Sequence, residues 1–346
     1  MQTELLSVTP EAIQRAGELI RQGQLVGFPT ETVYGLGANA LDADAVKRIF
    51  EAKGRPGDNP LIVHISRIDQ LAPLISGEPS PAAKALMDAW WPGPMTLIFP
   101  KSDVVPMDVT AGLSTVAVRF PAHPAAQALI DAAQRPIAAP SANRSGRPSP
   151  TTAAHVMEDM DGRIPLILDG GACEVGLEST VIDMTGSEPR ILRPGGVTPE
   201  MIAQVAGSAG VDPAVMRPLK EGEVARSPGM KYRHYAPTGA LTIVKGADGA
   251  VIRKICDLYD AALEVGNRPL ILALEGHLPA YGDRKALSLG ADAAGMAHAL
   301  FARLRDADEI GADALFSEAV AADGVGLAVM NRLGRAAAFH IVEADE

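Results

Sequence analysis

The chain is 346 residues long, 47% apolar and 21% charged, enough for two ordinary domains and a sizeable core. Its formal net charge of -11 and 4% aromatic content argue against broad nucleic-acid binding, which draws on a positive surface and stacking rings. Without an apolar run of about 18 residues no transmembrane helix is expected. Met1-Gln2-Thr3-Glu4 lacks the basic start of a signal peptide, and Cys173 and Cys256 lie too far apart to suggest a disulfide or zinc framework, so the expected location is cytoplasmic.

In chain order, Thr9-Pro10-Glu11 reads as a helix start: a capping hydroxyl, a proline at the first helical position and an acid, followed by Ile13, Ala16, Leu19 and Ile20 at helical spacing. Leu25 to Phe28 reads as a strand. Asp42 can cap a second helix with Ala45, Val46, Ile49 and Phe50 on its apolar side, and Ser80-Pro81 opens a third running toward Trp90. Further short apolar runs are Leu61 to Ile65, Thr96 to Phe99, Thr115 to Phe120, Ile137 to Ala139, Leu166 to Leu168, Thr180 to Ile182 and Ile191-Leu192. Some of these strands follow one another directly, which predicts an α/β sheet of mixed direction. Residues 208 to 238 hold several prolines and no periodicity and read as a linker, yet they contain the chemically dense stretch Ser227 to Pro237. Beyond it, a strand at Leu241 to Val244, a helix near Ala250 to Leu263, a strand at Leu270 to Leu274 and a helix near Ala291 to Arg305 predict a small doubly wound domain. The expected division is therefore 1–207, a linker 208–238, and 239–346, with no internal repeat.

Polar groups concentrate where strands end. Phe28-Pro29-Thr30-Glu31-Thr32-Val33-Tyr34-Gly35-Leu36-Gly37 follows a buried run with hydroxyls, a carboxylate and a phenol, a composition suited to a site. Gly35-Leu36-Gly37-Ala38-Asn39-Ala40 fits the loose dinucleotide fingerprint, but Lys53-Gly54-Arg55 stands where its ribose-binding acid belongs. Lys53 and Arg55, in a Gly/Pro-rich loop after a helix, suit a phosphate clamp or, more plainly, a solvated loop. His64 shares a strand face with Ile62 and reads by itself as a core histidine, and Trp91-Pro92-Gly93-Pro94 reads as a packed turn. Arg119 falls by alternation on the strand face of Ala117 and Thr115, and an arginine inside a strand is rarely buried without an anion to meet. Ser141, Asn143, Arg144 and Arg147 crowd the loop after Ile137 to Ala139; Glu178-Ser179 enters one strand and Arg193 leaves another. A P-loop and a Gly-x-Ser-x-Gly nucleophile are both absent. From the residues alone, the chain reads as a nucleotide-dependent transferase or synthetase.

Taken together, Phe28 to Leu36, Lys53-x-Arg55, Trp91 to Pro94, Val116 to Arg119 and Ser141-x-Asn143 resemble the YrdC/Sua5 family, and Ser227 to Pro237 with Gly326 to Arg332 resembles its longer, Sua5 type. The resemblance covers nearly the whole chain. It implies a twisted mixed α/β sheet with a large concave cavity, joined to a smaller Rossmann-like C-terminal domain. It also implies synthesis of L-threonylcarbamoyladenylate from L-threonine, bicarbonate or CO2, and ATP, with release of pyrophosphate. That product feeds the N6-threonylcarbamoyl modification of adenosine 37 in tRNA.

By motif, the resemblance makes Lys53 and Arg55 the catalytic phosphate contacts. It places Asn59, Thr115, Ser141, Asn143, Ser149, Arg193 and Tyr235 with ATP, and Thr30, His64, Arg119 and Ser179 with threonine. Tyr232 and Tyr235 would form a lid, and Gly35 and Gly37 read as turn-forming residues that let the next helix start close by. Magnesium is expected on the phosphates, with no metal held by protein side chains. Partners implied are the small substrates and a downstream tRNA-modifying transferase, with direct tRNA binding left open and no membrane. Two other readings are weaker: an RNA-binding module, set against the acidic charge, and a hydrogenase-maturation carbamoyl transferase, set against the lack of zinc-finger cysteines.

Overall fold

The computed structural model describes residues 2–218, 223, 225–228 and 235–345. They form two compact units: 2–145, 149–215, 223 and 225–228 in the first, and 146–148, 216–218 and 235–345 in the second.

The first unit is built on a sheet with, among the described residues, eleven strands. In chain order these are β1 (Glu4–Ser7), β2 (Val26–Phe28), β3 (Gly35–Asn39), β4 (Ile62–His64), β5 (Met95–Pro100), β6 (Thr115–Arg119), β7 (Ile137–Ala139), β8 (Leu166–Asp169), β9 (Thr180–Asp183), β10 (Arg190–Arg193) and β11 (Gly210–Val211). Their spatial order is β1-β8-β2-β3-β7-β4-β6-β5-β9-β10-β11. Parallel pairs such as β4–β6 and β5–β9 alternate with antiparallel ones such as β3–β7 and β5–β6, the mixed sheet expected. The helix Pro10–Arg21 is capped by the Thr9 hydroxyl, Ala43–Lys53 by the Asp42 carboxylate and Pro81–Trp90 by the Ser80 hydroxyl. Each cap satisfies amide donors that a helix leaves open at its start.

Two apolar cores sandwich the sheet. Pro10–Arg21 and the helix Pro124–Ala133 pack over β2, β7 and β8 through Ile13, Ile20, Leu129 and Ile130. The helices Ala43–Lys53, Pro81–Trp90 and Ala153–Met160 cover the other face through Val46, Ile49, Leu86 and Val156. A third, small cluster contains only strand residues: Ile62, Ile98, Ala117, Val181 and Leu192. It forms the apolar base of the face on which the functional side chains stand.

One expectation is corrected. Gly35 and Gly37 are not turn residues that start the next helix. They lie within β3, paired to β2 and β7, and the helix begins only at Ala43. A Cβ at Gly35 would stand 2.8 Å from the Phe28 ring, and one at Gly37 2.9 Å from Ile137 and 3.0 Å from Phe28. The glycines keep this strand flat so that the Phe28 ring can lie across it. The stretch read as linker from 208 starts within the first unit, where β11 pairs with β10 at the sheet edge.

The second unit holds a sheet of, among the described residues, five parallel strands: β12 (Ala240–Lys245), β13 (Pro269–Ala273), β14 (Ala286–Ser288), β15 (Ala314–Glu318) and β16 (Ile341–Glu343), in the order β14-β13-β15-β12-β16. The helices Asp248–Glu264, Ala293–Ile310 and Gly324–Ala336 connect them in the doubly wound manner expected.

Candidate functional site

Strand register assembles the site. His64 pairs with Arg119 across β4–β6, Arg119 with Thr96 across β6–β5, Thr96 with Val181 across β5–β9, and Val181 with Arg193 across β9–β10. Paired residues share a face, so His64, Arg119, Thr96 and Arg193 stand in one row above the small strand cluster. Ser179 falls on the same face as Val181. Its hydroxyl lies 2.7 Å from that of Thr96, and its carbonyl accepts Nε and Nη2 of Arg193 at 3.1 and 3.0 Å. Gly195 permits this approach, because a Cβ there would stand 2.4 Å from the amide nitrogen of Thr180.

The connection between β2 and β3 supplies the wall over Arg119. Thr30 Oγ1 donates to Val33 O at 2.6 Å and lies 2.8 Å from Thr32 Oγ1, which in turn accepts Nη1 of Arg119 at 2.9 Å. Arg119 Nε reaches Gly93 O at 3.4 Å, and Nη2 stands 2.7 Å from Oε1 of Glu31. Glu31 and Arg119 are both buried. Burial, the largest single influence, would raise the Glu31 carboxyl, but the Arg119 guanidinium and the nearby backbone amides of Glu31 and Ala122 together outweigh that penalty and hold it below the usual carboxylate range. Burial first, and the Arg119 charge second, push His64 down to about 3, so its imidazole is neutral; Nδ1 lies 3.1 Å from Ile62 O.

A second group gathers at the opposite ends of the same strands. Ile62 pairs with both Ala117 and Ala139. β4 starts at Ile62, just after the Asn59-Pro60 segment, β6 starts at Thr115, and Ser141, two residues past β7, bridges Gly35 of β3. Lys53, the last residue of its helix, is buried and points Nζ at the carbonyl oxygens of Ser141 and Asn143, 2.5 and 2.6 Å away. The helix ends there because Gly54 takes the left-handed conformation, at φ 67°. Arg55 lies 5.4 Å from the centre of the Phe50 ring. Asn59 is fully buried, and its carboxamide meets no hydrogen-bond partner among the described residues. Ser149, also buried, donates to Oε1 of Glu178 at 2.5 Å. The two groups stand four residues apart along β6, about 13 Å.

The structure therefore brings Thr30, His64, Arg119, Ser179 and Arg193 together, and separately Lys53, Asn59, Thr115, Ser141 and Asn143. Arg193, expected with the nucleotide, sits in the row with Ser179. Tyr235 is buried in the second unit, its ring 5.0 Å from that of Phe301 and 5.8 Å from the Arg332 guanidinium. Tyr232 lies outside the described residues. Sequence reasoning missed Glu31, Thr32, Thr96 and Glu178 as site members. Alternation from Arg119 across the neighbouring strand was the one signal that could have found Thr96.

Buried cations, hydroxyls and amides delivered by strand ends onto one sheet face define a small-molecule site in a two-unit α/β protein. The family model described as "Telomere recombination" matches residues 18–195, and that described as "Threonylcarbamoyl-AMP synthase, C-terminal domain" matches 197–338. The chain belongs to the Sua5/YrdC family. It is 50% identical over 331 residues to a Pyrococcus abyssi protein named threonylcarbamoyl-AMP synthase, covering 96% of this chain and 95% of the relative. A Bacillus subtilis protein of the same name is 47% identical, with 98% and 97% covered. The crystal structure of P. abyssi Sua5 complexed with L-threonine superposes with a TM-score of 0.94 at 48% identity, covering 99% of this chain and all of that one.

Proposed function

We propose that the chain joins L-threonine, bicarbonate or CO2, and ATP into L-threonylcarbamoyladenylate, releasing pyrophosphate. The observation that carries this reading is the buried Arg119 set among Thr30, Thr32, His64, Thr96 and Ser179, in a chain alike over its whole length to a threonine-bound relative. Arg119 retains N–H donors for a carboxylate, and bidentate pairing orients it. Neutral His64 and the hydroxyls line the place for the threonine side chain. Lys53 holds the Ser141–Asn143 loop through its carbonyls, which with Asn59 and Thr115 offers polar groups to a nucleotide, and Arg55 reaches the phosphates.

The neutral threonine amine attacks the carbon of CO2, forming the C–N bond as one C=O π pair moves onto oxygen, and the amine proton passes to water. A carbamate oxygen then attacks the α-phosphorus, and the bond to pyrophosphate breaks. Neither step needs a protein nucleophile; holding the reactants in place supplies up to about 7–11 kcal/mol. Magnesium would arrive with the ATP phosphates. The product would pass to a transferase acting on tRNA in the cytoplasm; no helix among the described residues is long and apolar enough to cross a membrane. The test is pyrophosphate release: it should require L-threonine and bicarbonate together, and release indifferent to threonine overturns the proposal.

A further inference from the structure

Glu31 has acceptors to spare in a place where a carboxylate rarely does. It is buried, yet neither of its oxygens, nor Nη2 of Arg119, meets an aligned hydrogen-bond partner among the described residues. The 2.7 Å approach of Nη2 to Oε1 is an ion pair set off the N–H direction. A carboxylate accepts about four hydrogen bonds, and leaving them unmade in a buried site is costly. Arg119 is only partly used: of five N–H groups, Nε serves Gly93 O and one on Nη1 serves Thr32. Donors remain on both terminal nitrogens. The pair thus presents one cation with donors left and one anion with acceptors left, side by side on the wall of the row that holds His64 and Ser179.

That is the mirror image of an α-amino acid zwitterion. Resting on the threonine reading above, we infer that Glu31 receives the α-ammonium of the substrate while Arg119 receives its carboxylate. The two residues then form a neutral receptor that selects amino acids over hydroxy acids. The ammonium brings three N–H donors to the oxygens that lack them. A site with Arg119 alone would favour any small carboxylate; Glu31 adds repulsion against anions that carry no compensating positive charge. Its carboxyl, held ionised by Arg119, serves as an acceptor rather than as a strong base.

The test uses the full chain and calorimetric titration with two probes, L-threonine and (2S,3R)-2,3-dihydroxybutanoate, which differ only in an amine replaced by a hydroxyl. Wild-type protein should prefer threonine by at least about tenfold. Glu31→Gln should weaken threonine by at least about tenfold while moving the hydroxy acid by under about threefold, and Glu31→Asp should restore most of the preference. Loss of both ligands by the same factor, or an unchanged threonine affinity, overturns the inference. Unchanged ATP binding by the variant certifies its fold. Should Glu31→Gln not fold, the wild-type comparison decides: a hydroxy acid that binds as tightly as threonine refutes the assignment. Wild-type protein that binds no threonine fails the parent reading itself, and this one with it.

Discussion

Among the described residues the first unit buries three cations, Lys53, Arg119 and Arg193, and it buries the first two differently. Arg119 rises from the middle of a sheet, with neighbours His64 and Thr96 set by strand register and its charge met by Glu31. Lys53 hangs from a helix end and is held by the carbonyls of a loop. In the sheet-borne group His64, Thr96, Arg119 and Arg193 are fixed by ladder pairing, and Thr32 and Glu31 reach Arg119 from the connection between β2 and β3. The loop-borne group is held by the Lys53 ammonium together with backbone bonds from Ala142 N to Tyr34 O and from Ser145 N to Lys53 O. On the reading proposed above, the group set by strand register takes the small amino acid and the group on the loop takes the nucleotide.

The sharpest break of that comparison is Arg119→Ala. It strands the Glu31 carboxylate in a buried place, so stability should fall by about 3–5 kcal/mol in urea unfolding, and threonine-dependent pyrophosphate release should be lost. The second largest effect is on acid stability. The folded value of His64, about 3, lies below the ordinary 6.5, so between them the unfolded chain takes a proton that the folded one refuses, and stability falls as pH drops. From pH 6.5 to 5 that loss is about 2 kcal/mol. Glu31 acts lower: its contribution is present above the ordinary value of 4.5 and lost as pH falls through its depressed folded value. His123, half-buried and also lowered, adds loss of the same sign as His64, so the comparison of wild type with His64→Gln isolates the His64 share. An unfolding midpoint with the same pH dependence in both proteins would refute it. The smallest effect belongs to the loop side, where Arg55→Ala should lower turnover about tenfold, roughly 1.4 kcal/mol, with little change in stability. If it unfolds the protein instead, Arg55 is structural and the contrast between the two groups weakens.

Much of this arrangement could be read from the chain because it is local. Helix starts at Thr9, Asp42 and Ser80 carry their own chemistry, and alternation alone placed Arg119 on a face with Thr115 and Ala117. What could not be read depends on distant contacts. β3 looked like a turn because glycines usually make turns; only the Phe28 ring lying over them explains a strand. Glu31 looked like one polar residue among several until its partner, 88 positions away, stood 2.7 Å from it. The strands β15 and β16 also went unread, since Ala314–Glu318 and Ile341–Glu343 are short, and what defines them is pairing with distant strands, β15 with β12 and β13 and β16 with β12. The resemblance supplied residue roles that no local pattern holds, such as Asn59 beside the nucleotide.

The most direct test of the central claim follows the carbon atom. Purified protein given ATP, L-threonine and 13C-labelled bicarbonate should yield, by mass spectrometry, an adenylate of threonine carrying one labelled carbon, together with pyrophosphate. Formation of AMP or ADP without a labelled adenylate, or of a threonyl adenylate lacking the label, would contradict it.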